Sequence, residues 1–325
     1  MKKKVLALLL VAVMMLMGVA CAQQGNGTSD EGTVEKEDIT FVIVPKVVHA
    51  WFDLVNDGAV LQAKLLSKQI DAKVIVDYRA PTTADVAEQN RVLEQAAATN
   101  PAGIALDPVD YEGSKAVIEE IQARGIPVIL FDAPAPEGSG LTSVGNDFSE
   151  QAIIASEALA KELNYEGKVA VMQGFPSAPN HAERYEAHLK TLAQYPNIEV
   201  IDGGIDNDSV EEAQTQAAAV LAANPDLDGY LNCDASGTGV AAAIEEAGRE
   251  DEIAFYSMDN LIEILEYVKS GTITATSSTM PQMQGSMSIL MLWQAHLGVD
   301  IPQTVDTGIA YIDSSNVDEW IEIVK

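Results

Sequence analysis

Residues 103–132 read GIALDPVDYEGSKAVIEEIQARGIPVILFD, and this stretch decides the fold class. Residues 103–106 and 127–131 are short apolar runs without the alternation of a half-exposed strand, so both of their faces must be covered. Between them, residues 111–124 carry apolar positions at helical spacing, bounded by Asp107-Pro108 on one side and Gly125 on the other. Strand, helix and strand in that order make one unit of a parallel sheet, and both strands stop at an aspartate, Asp107 and Asp132.

Outward from this unit the same alternation continues. Towards the N-terminus it predicts strands at 39–44 and 73–77 with helices at 51–69 and 83–98. A second run begins after Asn146, with helices at 149–163, 181–194, 209–223, 237–247 and 261–269. Strands are predicted between them at 168–173, 199–202, 229–233, 253–258 and 273–277. A long helix at 284–297 and an extended segment at 304–312 complete the pattern. The fold class that follows is α/β, with two doubly wound parallel-sheet lobes.

The first twenty residues, MKKKVLALLLVAVMMLMGVA, place three lysines before an apolar run that stops at small residues, the pattern of an export signal. The run is shorter than the roughly 20 residues of a spanning helix, and a permanent membrane anchor is the rival reading. Gly18-Val19-Ala20-Cys21 resembles a bacterial lipobox with Gly18 where leucine is preferred. Lipidation of Cys21 is expected on that resemblance, and cleavage by the ordinary signal peptidase at Ala20 or Ala22 is the alternative. Two acyl chains, at about 0.8 kcal/mol per buried methylene, would hold the chain stably at a membrane. Residues 21–37 are polar, charged and free of aromatics, so they read as a flexible tether.

The chain has 19 basic and 49 acidic residues, a formal charge of −30 that becomes −33 once Lys2, Lys3 and Lys4 leave with the signal. Such a surface repels phosphate, so nucleic acid is excluded as a partner. Cysteines number two, Cys21 and Cys233, and no structural disulfide is expected.

In open parallel sheets ligands bind beyond the carboxyl ends of the strands. Those positions hold Lys46, His49, Trp51 and Phe52 after the first strand, then Asp107 and Asp132. In the second run they hold Asn180, His181 and Arg184, then Asp206 to Asp208, Cys233-Asp234-Ala235, and Asp259. Ionised carboxylates accept hydrogen bonds worth about 1.5–3 kcal/mol each and can bridge neighbouring sugar hydroxyls. The flat faces of Trp51 and Phe52 suit the C–H face of a sugar ring. Each position also has a plainer reading: the aspartates as helix caps or turn formers, the aromatic pair as core, and Cys233 as a small buried residue.

Taken together, Val44-Pro45-Lys46, Trp51-Phe52, Ile104 to Pro108, Gly125-Ile126-Pro127-Val128 leading to Asp132, Ala182-Glu183-Arg184, Asn224 to Gly229 and Met258-Asp259 resemble the periplasmic sugar-binding proteins of the ribose type. The resemblance spans residues 38–312. It implies two lobes joined by a three-segment hinge, with 38–145 plus 279–305 as the N-terminal lobe and 146–278 plus 306–325 as the C-terminal one. It also implies ligand contacts from His49, Trp51, Phe52, Asp107, Asp132, Arg184, Cys233, Asp259 and Thr279. The sequence departs from the ribose pattern at His49, Ala133, Asn207 and Cys233, which points away from ribose itself. Pro45-Lys46-Val47-Val48 and residues 80–86 are similar to the branch that binds rhamnose or autoinducer-2. There Lys46, Asp132 and the positions of Asn180, His181, Cys233 and Ala235 would contact ligand.

The expectation is an exported, monomeric, non-enzymatic binding protein of an ABC importer, held at the outer face of the cell membrane, or periplasmic if Cys21 is not lipidated. Its partners would be a small sugar or polyol and the permease. A sensor that passes the ligand signal to a kinase or chemoreceptor is the alternative. No nucleophile elbow, phosphate loop or dinucleotide fingerprint occurs, and no cofactor is implied. The four histidines form no i,i+4 metal pair, and His181 and His188, seven apart on one helix, read as a solvated face.

Overall fold

The computed structural model describes residues 37–324. In chain order the elements of its first half are β1 (Ile39–Val44), α1 (Ala50–Ile70), β2 (Val74–Tyr78), α2 (Val86–Ala98), β3 (Gly103–Leu106), α3 (Tyr111–Ala123), β4 (Val128–Phe131), β5 (Ser143–Gly145), α4 (Phe148–Glu162) and β6 (Glu166–Gln173). There follow α5 (Pro179–Leu192), β7 (Asn197–Ile205), α6 (Val210–Ala223), β8 (Gly229–Leu231), α7 (Gly237–Glu246), β9 (Ala254–Met258), α8 (Ile262–Ser270), β10 (Ala275–Ser278), α9 (Pro281–His296), β11 (Thr304–Asp306), β12 (Ala310–Asp313) and α10 (Val317–Val324). The signal, Cys21 and all but the last residue of the expected tether lie outside the described residues.

Two six-stranded sheets result, in the orders β11-β5-β4-β3-β1-β2 and β12-β10-β9-β8-β6-β7. Every pairing is parallel except that of β10 with β12. Setting aside the last strand of each, both sheets follow the doubly wound order 2-1-3-4-5, in which the winding direction reverses between the first and third strands. The chain therefore builds one architecture twice, as the alternation predicts.

The apolar runs are explained by what covers them. Phe41 and Ile43 of β1 share a core with Trp51, Val55 and Ala59 of α1 and Ile289 and Leu292 of α9. Val42 and Val44 point the other way, into a second core with Val92 and Leu93 of α2 and Ile118 and Ile121 of α3. Period-two alternation is thus present in space but invisible in hydropathy, because helices bury both faces. The helix starts follow the chemistry of capping: Asp85, Asp110, Asp147 and Ser209 each accept from a backbone N–H of the first turn.

The chain crosses between sheets three times. It leaves the first after β5 at Gly145, returns after β10 at Ser278, and leaves again after β11, whose last residue Asp306 still pairs with Gly145. The returning helix α9 lies against α1 so closely that backbones meet. A Cβ added at Gly58 would fall 1.9 Å from the Gln282 carbonyl oxygen, and one at Gly285 would fall 1.8 Å from that of Val55. Glycine at both positions is what lets the two helices touch.

The element limits differ from the sequence reading mainly at short pieces. The three-residue strands β5 and β11 pair with each other across a long separation in sequence, and the expected extended segment at 304–312 divides between the two sheets. Helix α10, which the sequence reading omits, packs its Val317 and Ile321 into the core under α8.

Candidate functional site

The reversal points of both sheets face the same cleft. In the first sheet the reversal lies between β1 and β3, whose carboxyl ends lead to Lys46 and Asp107. In the second it lies between β6 and β8, which lead to Gly174 and to Cys233-Asp234. Between the two sets of strand ends is a small pocket lined by Lys46, His49, Trp51, Phe52, Asp132, His181, Arg184, Asp208, Asp234, Ala235 and Asp259.

On the first wall Lys46 is 1 % exposed, and its Nζ lies 3.0 Å from Asp107 Oδ2 and 3.8 Å from Asp132 Oδ2. Burial pushes the ammonium down, but the Asp107 and Asp132 carboxylates outweigh it, and the amine titrates above its ordinary value and stays charged. Burial likewise pushes the Asp132 carboxyl up to about 6, against the pull of Lys46 and Arg184. Phe52 places its ring 5.5 Å from Lys46 Nζ and stands edge-on to Trp51 at 5.2 Å. Both rings belong to the core and also line the cavity. The Trp51 indole N–H is buried without an acceptor.

The second wall rests on α5, whose face carries His181 and Arg184. Backbone N–H of Phe175 donates to His181 Nδ1 at 2.8 Å, so the ring proton sits on Nε2. Burial, with Lys46 and Arg184 nearby, holds His181 well below its usual pKa and therefore neutral. His181, Asp208 and Asp234 place ligand-type atoms within 4.8 Å of one another. With one ring nitrogen accepting and the other protonated, His181 has no lone pair free for a metal, and the trio offers the cavity one N–H donor and two carboxylates. Gly174 makes it possible, since a Cβ there would lie 2.4 Å from His181 Nδ1 and 2.6 Å from Asp234 Oδ2. The expectation of a solvated histidine face is corrected: His181 is 2 % and His188 0 % exposed, with Ser156 Oγ 2.7 Å from His188 Nδ1. Helix α5 is sandwiched between α4 and the sheet, so that face is interior.

Asp206 and Asp234 meet side chain to side chain. Burial and then the Asp234 charge push the Asp206 carboxyl well above the carboxylate range, and burial raises Asp234 as well. Asp132, Asp208 and Asp259 all have left-handed backbone, with φ of 47°, 61° and 69°. Such conformations are tolerated best by Asp and Asn and concentrate at functional sites.

Four of the residues expected at the site stand just behind its surface. Asp107 supports Lys46. Asn180 makes three bonds, with Oδ1 accepting from Lys46 Nζ at 3.3 Å and from His181 N–H at 3.0 Å, and Nδ2 donating to Asp132 Oδ2 at 2.6 Å. The Cys233 carbonyl accepts from Arg184 Nη1 at 3.1 Å, and burial pushes its thiol well above the usual range, so it stays protonated. Thr279 Oγ1 donates to Asp259 Oδ1 at 2.8 Å. None of Asp107, Asp132, Asp234 and Asp259 is the capping residue of a helix, although Asp234 Oδ1 accepts from Ser236 N–H in a turn before α7. Asp208 lines the cavity from the turn after β7, where the run Asp206 to Asp208 had marked a strand end.

Residues 40–298 match the family model described as periplasmic binding protein domain. The chain belongs to the periplasmic binding protein family. This periplasmic binding protein is 25 % identical over 264 residues to a D-ribose/D-allose-binding protein of Pseudomonas aeruginosa, covering 79 % of this chain and 81 % of that one. Among solved structures it is similar to an ABC transporter solute-binding protein of Burkholderia graminis in complex with D-arabinose, with a TM-score of 0.80 at 25 % identity over 86 % of this chain and 96 % of that one. It is also similar to a sugar-binding protein of a sugar ABC transporter from Bacillus halodurans, with a TM-score of 0.75 at 29 % identity over 87 % and 100 % of the two chains. Among the described residues no helix is long and apolar enough to cross a membrane.

Proposed function

We propose that this chain captures one small sugar or sugar-like polyol between its lobes and delivers it to the permease of an ABC importer, tethered outside the cytoplasmic membrane through Cys21. The observation that carries the reading is the cavity itself. What it offers a ligand is its lining, in which charged and polar groups converge beside two aromatic rings. Its lining combines acceptors for hydroxyl hydrogens (Asp132, Asp208, Asp234, Asp259) with donors for hydroxyl oxygens (Lys46, Arg184 and the Nε2–H of His181). Trp51 and Phe52 supply apolar ring faces, and the orphaned indole N–H adds a donor. The names of the relatives, which bind ribose, allose or arabinose, support the same class.

The lobes would turn about the crossovers near residues 145–146, 278–279 and 305–306, closing on the ligand. Of the positions expected from the ribose and autoinducer-2 patterns, those on the cavity surface are proposed to touch ligand, whereas Asp107, Asn180, Cys233 and Thr279 would hold those residues in place. No cofactor, metal or chemical step is required.

The test is a thermal-shift screen of the soluble form beginning at Gly25, against pentoses, hexoses, deoxy sugars, polyols, nucleosides and autoinducer-2. A ligand at 100 times its Kd stabilises the folded state by about 2.7 kcal/mol, a shift of several degrees. A sugar hit supports the reading. Silence from a cooperatively melting protein sinks it. Labelled fatty acid appearing on the wild type but not on Cys21→Ala checks the anchor.

A further inference from the structure

Arg184 is 2 % exposed, and its shortest polar contact runs away from the cavity: Nε donates to Oε1 of Gln151 at 2.8 Å. The same guanidinium lies over the Phe148 ring, 4.9 Å from its centroid. Phe148 and Gln151 are three residues apart at the start of α4, so one helical face grips the cation by its plane and its edge. By comparison, the ion pair of Arg184 with Asp132 across the cleft is long, at 3.8 Å.

Gln151 is fully buried, and its amide reaches two of the three crossovers. Nε2 donates to the Ser277 carbonyl at 2.7 Å, one residue before β10 ends. Oε1 accepts a second hydrogen bond, at 3.3 Å, from Nδ2 of Asn146, the residue that follows β5. An amide fits this place because it accepts and donates without charge. Leucine would fill the space but hold neither the cation nor the strand.

We propose that Gln151 is a positioning residue: it aims Arg184 at the cleft and ties that aim to the two crossovers on which the lobes turn, so that occupancy of the site and hinge angle move together. This rests on the ligand-closing reading above but concerns a side chain that does not touch the cavity.

The experiment uses the full chain in a Cys21→Ser background, with Gln151→Leu and Gln151→Glu. Spin labels at Lys64→Cys and Glu211→Cys, both exposed, report the interlobe distance without ligand. D-ribose and D-allose are then titrated by calorimetry in wild-type and Arg184→Met backgrounds. Gln151→Leu is expected to broaden the distance distribution and to weaken sugar binding about 10-fold or more. In the Arg184→Met background the same change should alter affinity by less than about twofold, because its effect passes through Arg184. Gln151→Glu keeps the acceptor for Arg184 and loses the donor to Ser277, so it should broaden the distances with a smaller loss of affinity. A lowered melting temperature with unchanged distances overturns the proposal, as does an equal loss of affinity in both backgrounds. If neither sugar binds the wild type, that result counts against the proposed ligand class, and the distance measurement alone decides the role of Gln151.

Discussion

On the wall built by the first sheet, Lys46 lies 3.0 Å from Asp107 and 3.8 Å from Asp132; on the wall built by the second, Asp206 and Asp234 meet each other with no lysine or arginine within 4 Å among the described residues. The same fold, wound the same way, has met one physical problem with two solutions. Several carboxylates are buried at strand ends, where each isolated charge would cost several kcal/mol. The first wall sets a fixed ammonium against them, whereas on the second, burial and nearby carboxylates push both carboxyls towards the protonated form. On each wall burial leaves a carboxyl that titrates above its ordinary range, so both respond to pH, the first around a fixed charge and the second without one.

The largest expected effect comes from removing the fixed cation. Lys46→Met leaves Asp107, which is 0 % exposed, without its partner, and breaking one side of a buried pair costs about 3–5 kcal/mol. Urea denaturation at neutral pH should show a loss of that order. Burial already pushes the Asp107 carboxyl well above its ordinary range, and adding Asp107→Asn should restore more than half of the loss, because an amide needs neither a counter-ion nor a bound proton. If the double variant is no more stable than the single one, the aliphatic stem of Lys46 matters more than its charge, and the contrast between the walls fails.

The next effect is on ligand. Asp132→Asn and Asp259→Asn should each weaken binding of whichever sugar the screen finds by about 1.5–3 kcal/mol, or roughly 10- to 150-fold. Asp132 also carries a pH signature, since its carboxyl is pushed up to about 6 by burial. Wild-type affinity should fall as pH drops through about 6, while Asp132→Asn should show a flatter profile. The contribution of this group to folding runs the other way. A folded-state value above the unfolded one means stabilisation that is full below the unfolded pKa and is lost as pH rises through about 6. Affinity and stability moving in the same direction below pH 6 in the wild type, with no difference in Asp132→Asn, would remove Asp132 from the site.

The layout of the walls was legible in the sequence because topology does the placing. Once apolar runs and helical stretches alternate, the residues after each run must gather at one end of a sheet, and Lys46, Asp132, Asp234 and Asp259 were found that way. Pairings formed across long separations were not legible. The strands β5 and β11 are three residues each, too short to show a period. Gln151 looks like any polar position on an amphipathic helix until α5 and β10 are packed against it. Asn180 shows the converse: its residue type suits a ligand, but neighbours in space take its oxygen and one of its N–H groups. His181 and His188 were misjudged because seven-residue spacing fixes a shared helix face without saying which face is covered.

The smallest effect tests the second wall. Burial and the Asp234 charge raise the Asp206 carboxyl, and ionising it beside Asp234 becomes harder to avoid as pH rises. Asp206→Asn replaces the bound proton with permanent amide hydrogens in nearly the same volume. Because the raised Asp206 value means stability lost as pH rises through it, the wild type should weaken towards alkaline pH where the variant does not. The variant should therefore gain on the wild type by about 0.5–1.5 kcal/mol, roughly 1–5 °C in Tm, between an acidic and an alkaline measurement. Lys46→Met would then cost stability at neutral pH where Asp206→Asn gains it as pH rises, although each alters one buried titratable group at a strand end. No gain for Asp206→Asn between the two pH values would mean that Asp206 is ionised at both, and the second wall would need a counter-charge from the ligand itself.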